Sequence, residues 1–379
     1  MSFSTRIGMF QPSGNYPTAD VTQETVTITP SIVNASAVAF TFTNANLKNT
    51  NVGYRITGAD ANDFTDATIV GQVSLDANGN ATLTKTIIST EDLGDDKTFF
   101  VSAFGINNKI TGSSSNVSIQ TNYPMIATGG NSFIDSGYVY HVFTATGNLT
   151  VTQAQSGPVY NGIRALVVAA GGSVATSGSI RSGAGAGGLR DANVYLTTGT
   201  YTATVGPTTS VGTTVGNNGA GSSFANISTT GGGGGISGQF VNGRNGGSGS
   251  GAGGSASAIP GNGISGQGFR GGYGIDLGWP GGGGGAGGFG GTAGSNPFSY
   301  GGSGGSGRYI PWAPVAFGDP NNINFFAGGG SGLNPLTLYS AGNRGPGGGG
   351  NVNARNTGLA GIVIVAYPDF EAFRSLTTV

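Results

Sequence analysis

The chain has no cysteine and a single histidine, His141, among 379 residues. That removes disulfides, thiolate metal sites and cysteine nucleophiles together, and leaves His141 without a second histidine for a triad or a metal. Charge is scarce as well: Asp, Glu, Lys and Arg make up 8%, with a formal net of −1. A chain so weakly charged lacks the basic footprint of a nucleic-acid or anionic-membrane binder. The longest apolar runs, ALVVAA at 165–170 and IVIVAY at 362–367, are too short to span a bilayer, and the opening residues show no basic-then-apolar signal pattern. Neither nucleic acid nor membrane insertion is therefore expected, and nothing directs secretion.

Glycine is what the sequence has in excess, and it is unevenly spread. Residues 1–128 hold 9 of the 77 glycines and all four lysines, Lys48, Lys85, Lys97 and Lys109, whereas residues 129–379 hold 68 glycines and no lysine. A boundary near Thr128 follows. The reading is all-β: an arm at 1–20, a β-sandwich over 21–128, a glycine-rich domain over 129–368 and a tail at 369–379.

Within 21–128, seven short strand-like runs recur between turn signals: VTITP, AVAFTFT, VGYRITG, TIVGQVSL, ATLTKTI, TFFVSAFG and NVSIQT. That spacing predicts an immunoglobulin-like sandwich. DANGN at 76–80 reads as a hairpin turn, since Asn and Gly tolerate positive φ. Asp60, Asp63 and Asp66 sit three apart in one loop. Carboxylates suit calcium, but EF-hand spacing is missing, so a solvated turn is the preferred reading.

Beyond 128, YVYHVF, ALVVAAGG and IVIVAYP read as strands, ALVVAA as one buried on both faces, and LRDANVYLTTGTYTATVGP as a further strand pair. Glycine tracts separate them at 231–235, 281–285, 328–330 and 347–350. Residues 171–360 carry only ten charged side chains but sixteen aromatics, the reverse of a disordered linker. The tracts are therefore expected to be ordered, with 231–350 rigid. Gly233, Gly283, Gly329 and Gly348 are the tract glycines expected to tolerate no side chain.

The ordered combination YVYHVFTATGNLTV, ALVVAAGG, GAGGLRDANVYLTTGTYTATVG, SSFANISTTGGGGG and GLAGIVIVAYP resembles a family of glycine-rich domains in bacteriophage virion proteins, particularly tail-fibre and other appendage proteins. Its tract-and-loop style is similar to receptor-binding tip adhesins of tailed phages, whose glycine segments pack side by side as polyproline-II helices, which implies the same packed polyproline-II array for these tracts. The amino-terminal module is similar to Ig-like modules of marine phage structural proteins. One departure is AAGGSVATSGS after the buried strand, where the family has a glycine run. The first glycine segment is thus expected to be shortened or looped.

The resemblance implies a non-enzymatic virion protein on the particle's exterior, needing no cofactor or metal. It would be an external fibre or appendage adhesin, or alternatively a capsid decoration or other structural component binding only virion proteins. Partners implied are other virion proteins, a host-surface receptor of protein or glycan, and further copies of the chain, trimers being common among fibres. The contact region expected is 299–326, with Tyr300, Tyr309, Trp312, Phe317, Phe325 and Phe326 as candidates, Tyr309 and Trp312 foremost, because aromatics are enriched at binding hot spots. Arg244, Arg270, Arg308 and Arg344 recur about once per tract, for tract carbonyls or for a receptor anion, the first reading being preferred. Asp276 and Asp319, the acids of the loop region, form no flanking pattern for glycan cleavage. His141 reads as a strand histidine satisfied by a neighbour or by solvent.

Overall fold

The computed structural model describes residues 22–89, 96–105, 109–156, 162–276, 278–294, 300–318, 324–332, 345–352 and 356–378. The chain forms two compact units, one from residues 1–122 with 372–379 and one from 123–371. Both are β-structured, and no α-helix occurs among the described residues. The proposed arm at 1–20 lies outside the described residues.

The first unit contains β1 (Glu24–Thr25), β2 (Thr27–Asn34), β3 (Ala37–Thr43), β4 (Asn51–Thr57), β5 (Val70–Ser74), β6 (Asn80–Thr86), β7 (Lys97–Phe104), β8 (Ile110–Thr111) and β9 (Val117–Asn122). All seven expected runs form strands. Alternation aims Val38, Phe40 and Phe42 of β3 inward, where they meet Tyr54, Ile56, Phe99 and Val101 of the facing sheet in one core. The 76–80 turn is a correction. It is tight, with Gly79 at φ +82° and the Asp76 carboxylate accepting the Asn78 and Asn80 N–H groups at 2.8 and 2.9 Å. It does not close a hairpin, however: β5 pairs with β4 and β6 with β3, so the turn carries the chain between sheets. Turn chemistry is local, whereas pairing is decided by which apolar faces share a core.

The second unit contains β10 (Ile126–Thr128), β11 (Asn131–Asp135), β12 (Tyr138–Phe143), β13 (Gly147–Gln153), β14 (Arg164–Val168), β15 (Leu189–Asn193), β16 (Gly199–Ala203), β17 (Ser222–Phe224), β18 (Ile227–Thr229), β19 (Arg308–Tyr309), β20 (Phe325–Phe326) and β21 (Ile362–Pro368). β14 lies between β15 and β21 in the five-stranded sheet β11-β12-β21-β14-β15. Its Ala165 and Val167 enter a core with Leu149 and Val151 of β13; its Leu166 and Val168 enter another with Ala186, Ala286, Phe326 and Ala327. That is the two-sided burial its unbroken apolar run calls for. The strands at 189–203 do not pair with each other, a second correction: β15 adds to β14 and β16 to β13.

On the second of these faces the glycine tracts form a hydrogen-bonded array, whose repeat is visible at 183–188. Gly183 and Ala186 donate to Gly281 and Gly284; Ala184 and Gly187 to Gly350 and Gly347; Gly185 and Gly188 to Gly233 and Thr230. The carbonyls follow the same rhythm, Gly183 and Ala186 accepting from Gly251 and Ser248, Gly185 and Gly188 from Gly172 and Ala169, and Ala184 from Gly330. Each neighbour is met every third residue, and no residue of 183–188 has a positive φ. Three residues per turn at negative φ, with no bond inside the segment, is the polyproline-II helix, here ringed by six neighbouring segments. Residues 169–174 belong to the same array and are buried, while 176–179 bend away, with Gly178 at φ +95°, so the first segment is ordered at its start and looped beyond it. Within 169–174, Val174 stands in a small apolar cluster with Ala184 and Val352, and the Ser173 hydroxyl accepts from the Asn217 N–H at 2.8 Å.

The chain ends in β22 (Phe373–Thr378), which returns to the first unit and pairs antiparallel with β9, completing the sheet β22-β9-β7-β4-β5. The segment read as a tail is a strand, buried through Arg374, Ser375 and Leu376.

Candidate functional site

Three features read from the sequence as alternatives resolve into structural roles. His141 is buried on β12, its Nδ1 2.7 Å from the Gly129 carbonyl and its Nε2 3.0 Å from the Tyr367 hydroxyl. Burial holds its pKa below the ordinary 6.5 against the opposing pull of the Gly129 carbonyl, and burial pushes Tyr367 up to about 12. The Asp60, Asp63 and Asp66 carboxylates, preferred above as a solvated turn, are drawn into ion pairs. Lys97 bridges Asp60 and Asp63 at 3.2 and 3.1 Å, the buried Arg374 meets Asp63 at 2.7 Å, and the buried Lys85 meets Asp66 at 2.7 Å. Among the described residues no cluster of three His, Cys, Asp or Glu is placed to hold a metal ion. Asp276 accepts from the Ala256 N–H and the Ser255 hydroxyl, both at 3.1 Å, while Asp319 lies outside the described residues.

The proposed contact region is built on the ends of the array. The two-residue strands β19 and β20 pair, Arg308 with Phe326 and Tyr309 with Phe325, and between them a short 3-10 turn spans Val315–Phe317. The six candidate aromatics separate. Phe326 is fully buried in the core beneath the five-stranded sheet, and this withdraws it from the receptor-contact set, because a side chain with no exposed area touches no partner. Phe317 stacks on Phe133, which stacks on Tyr140, with centroids 6.0 and 5.4 Å apart. Phe325 packs on Tyr309 at 5.3 Å. Tyr309 and Tyr300 are exposed, at 53% and 44%.

Trp312 is half-buried and held on three sides. Its Nε1 donates to Asp191 at 3.1 Å, its carbonyl accepts from the Tyr140 hydroxyl at 2.9 Å, and the Arg164 guanidinium lies over its ring at 4.9 Å. Arg164 is in turn paired with Asp191 at 3.1 Å, a bond between neighbours on β14 and β15. Beside this indole opens a pocket of about 370 Å³, also lined by Asp135, Tyr138, Tyr140 and Asn324. Burial raises the Tyr140 pKa, so its hydroxyl stays protonated as a donor. Asn324 stands at φ +63° with its Oδ1 buried and unpaired, an acceptor left over by the fold. The sequence picks out Trp312 but not Arg164, Asp191, Tyr138 or Tyr140; a strand order that brings residues from 138 and 191 beside 312 leaves no local signal.

The tract glycines Gly233, Gly283 and Gly329 each sit so that a Cβ would run into a neighbouring backbone carbonyl, those of Arg244, Ala184 and Gly283. Gly348 belongs to the same packing, its carbonyl accepting from Leu359 at 2.9 Å. Of the arginines, Arg244 donates to the Gly216 carbonyl at 2.9 Å, the tract-carbonyl role. Arg270 bonds the carbonyl of its own neighbour Gly271 at 3.0 Å, Arg308 is exposed, and Arg344 lies outside the described residues. Compared with known proteins, the chain matches no family model and no curated protein.

Proposed function

We propose that this chain is a structural protein of a bacteriophage virion, displayed on the exterior as a fibre or appendage adhesin that contacts the host through aromatic loops. The observation that carries the reading is the placement of exposed aromatic rings, on β12, on β19 and in the segment that follows β19, beside the hydrogen-bonded array. Tyr309, Tyr138 and the edge of Trp312 stand over a backbone in which each tract is hydrogen-bonded to its neighbours, so little entropy remains to be lost on binding. Pocket size agrees, since about 370 Å³ lies within the range of ligand sites. The virion assignment itself rests on the sequence resemblance. A homo-oligomer belongs to the same proposal.

The test pairs Tyr138→Ala with Tyr309→Ala, both exposed and so removable without loss of the fold, and measures adsorption of virions carrying the variant to host cells. Adsorption should fall at least tenfold while the melting profile is unchanged, since an aromatic hot spot is worth about 2 kcal/mol or more. Antibody labelling should place the chain at the distal end of an appendage. Normal adsorption together with labelling over the shell would give the protein to capsid decoration instead.

A further inference from the structure

A second concavity, of about 720 Å³, lies on the glycine-rich unit between the loop that joins tracts at 262–270 and the segments at 286–289 and 308. Its rings are Phe269 and Phe289, set edge to face with centroids 4.8 Å apart, and Phe289 is 59% exposed. Its charges are two guanidiniums, Arg270 and Arg308, and no Asp or Glu lines it. Arg270 is fixed in place, lying over Tyr273 at 4.9 Å and over Phe289 at 5.1 Å. The Arg308 guanidinium has no hydrogen-bond or ion-pair partner among the described residues. Gln267, only 7% exposed, accepts the Thr230 N–H on its Oε1 at 2.8 Å, and its Nε2 donors have no partner among the described residues.

We infer that this groove is a binding site for an acidic glycan, a saccharide bearing carboxylate groups. The inference rests on the receptor-binding reading above and names the receptor's chemistry. An aromatic face carries negative potential and accepts the polarised C–H face of a sugar ring, as it does a cation. A guanidinium lying over two rings and anchored by one N–H on the Gly271 carbonyl has its orientation set before the ligand arrives, and a carboxylate can accept from its remaining N–H groups. With no acid in the lining, the two arginines are uncompensated, and an anionic sugar neutralises them. Asn262, Ser265 and the free Gln267 amide supply hydrogen bonds to hydroxyls around the ring. A purely apolar ligand would leave both guanidiniums unpaired, and a neutral sugar would leave their charge unanswered.

Isothermal titration of the purified full chain with tetragalacturonate and with an α2,8-linked sialic acid tetramer tests this. At least one should bind saturably at millimolar concentration or below. Arg308→Ala and Phe289→Ala, both at exposed positions, should each weaken that binding about tenfold, matching a charged hydrogen bond or an aromatic contact. Esterifying the carboxylates of the bound oligomer should weaken it similarly. Absence of saturable binding by both oligomers overturns the inference, as does equal affinity for the ester or an undiminished affinity in both variants. Because binding is read on the isolated protein, such a failure leaves the adhesin reading to its own test by host adsorption. Conversely, saccharide binding by a chain whose virions adsorb normally after Tyr138→Ala and Tyr309→Ala keeps the site and removes the Trp312 pocket from attachment.

Discussion

A single β-carbon decides most of what a tract glycine contributes. At Gly283 the added atom would overlap the Ala184 carbonyl and crowd Gly185, both backbone atoms of the central tract that no rotamer change can move. Gly283→Ala is expected to cost more than about 3 kcal/mol, the range of severe overpacking. Gly162→Ala is its control: there the new atom meets only the Pro368 ring at 3.6 Å, and chemical denaturation should show a near-native midpoint. Titratable residues give a second prediction, with separate windows in the two units, both opening as pH falls. Asp63 and Asp66 have pKa values below 3.8: burial pushes them up, and this is outweighed by hydrogen bonds from the Asp60 N–H, Arg374 and Lys97 to the first and from Lys85 and Thr68 to the second. A lowered carboxylate stabilises above the unfolded value and loses that contribution as pH falls through the folded one, so the first unit should weaken only below about pH 4. His141 is also depressed, so the unfolded chain takes up its proton first, and the second unit should begin to weaken as pH drops through 6.5. Differential scanning calorimetry from pH 8 to about pH 3 separates the two.

Strands and tracts were legible in the sequence to different depths. Every one of the seven runs before Thr128 is a strand, because alternation such as that of Val38, Phe40 and Phe42 is written residue by residue. Partners were not legible. The 76–80 turn has the residues of a hairpin and joins two sheets, and the neighbours β15 and β16 separate to different sheets, since register and pairing depend on cores assembled from distant segments. The same holds for β22. Its Arg374 is buried against Asp63, 311 residues earlier, and nothing in FRSLTT announces the partner. Breaking such a buried pair from one side costs about 3–5 kcal/mol. Asp63→Ala should therefore lower the first unit's stability by that amount, and deleting residues 372–379 should destabilise it further by taking Leu376 out of the core and exposing the β9 edge. Urea unfolding followed by a probe in the first unit reads both. At the candidate site the rings Trp312 and Tyr309 were visible as composition, while Asp191, Arg164 and Asn324, which hold and complete the pocket, required the fold.

At the scale of the molecule, the glycine-rich unit is a closely hydrogen-bonded body made from a composition that usually signals flexibility. Ordering each residue costs about 1–2 kcal/mol of backbone entropy and each hydrogen bond returns only about 0.5–1.5. No tract could therefore hold itself; order comes from lateral bonds shared among all of them and from the apolar face of the five-stranded sheet beneath. Rigidity is also what the proposed attachment role requires, because loops on a fixed scaffold present their aromatic and arginine side chains without first having to be ordered. The most direct test is amide hydrogen exchange across 183–188, where the six N–H groups are bonded in pairs to three other segments of the chain. These amides should be protected to the same degree as those of β14, and should be lost together with them in one cooperative opening. Exchange of 183–188 at the rate of an unstructured peptide, while β14 stays protected, would contradict the packed array.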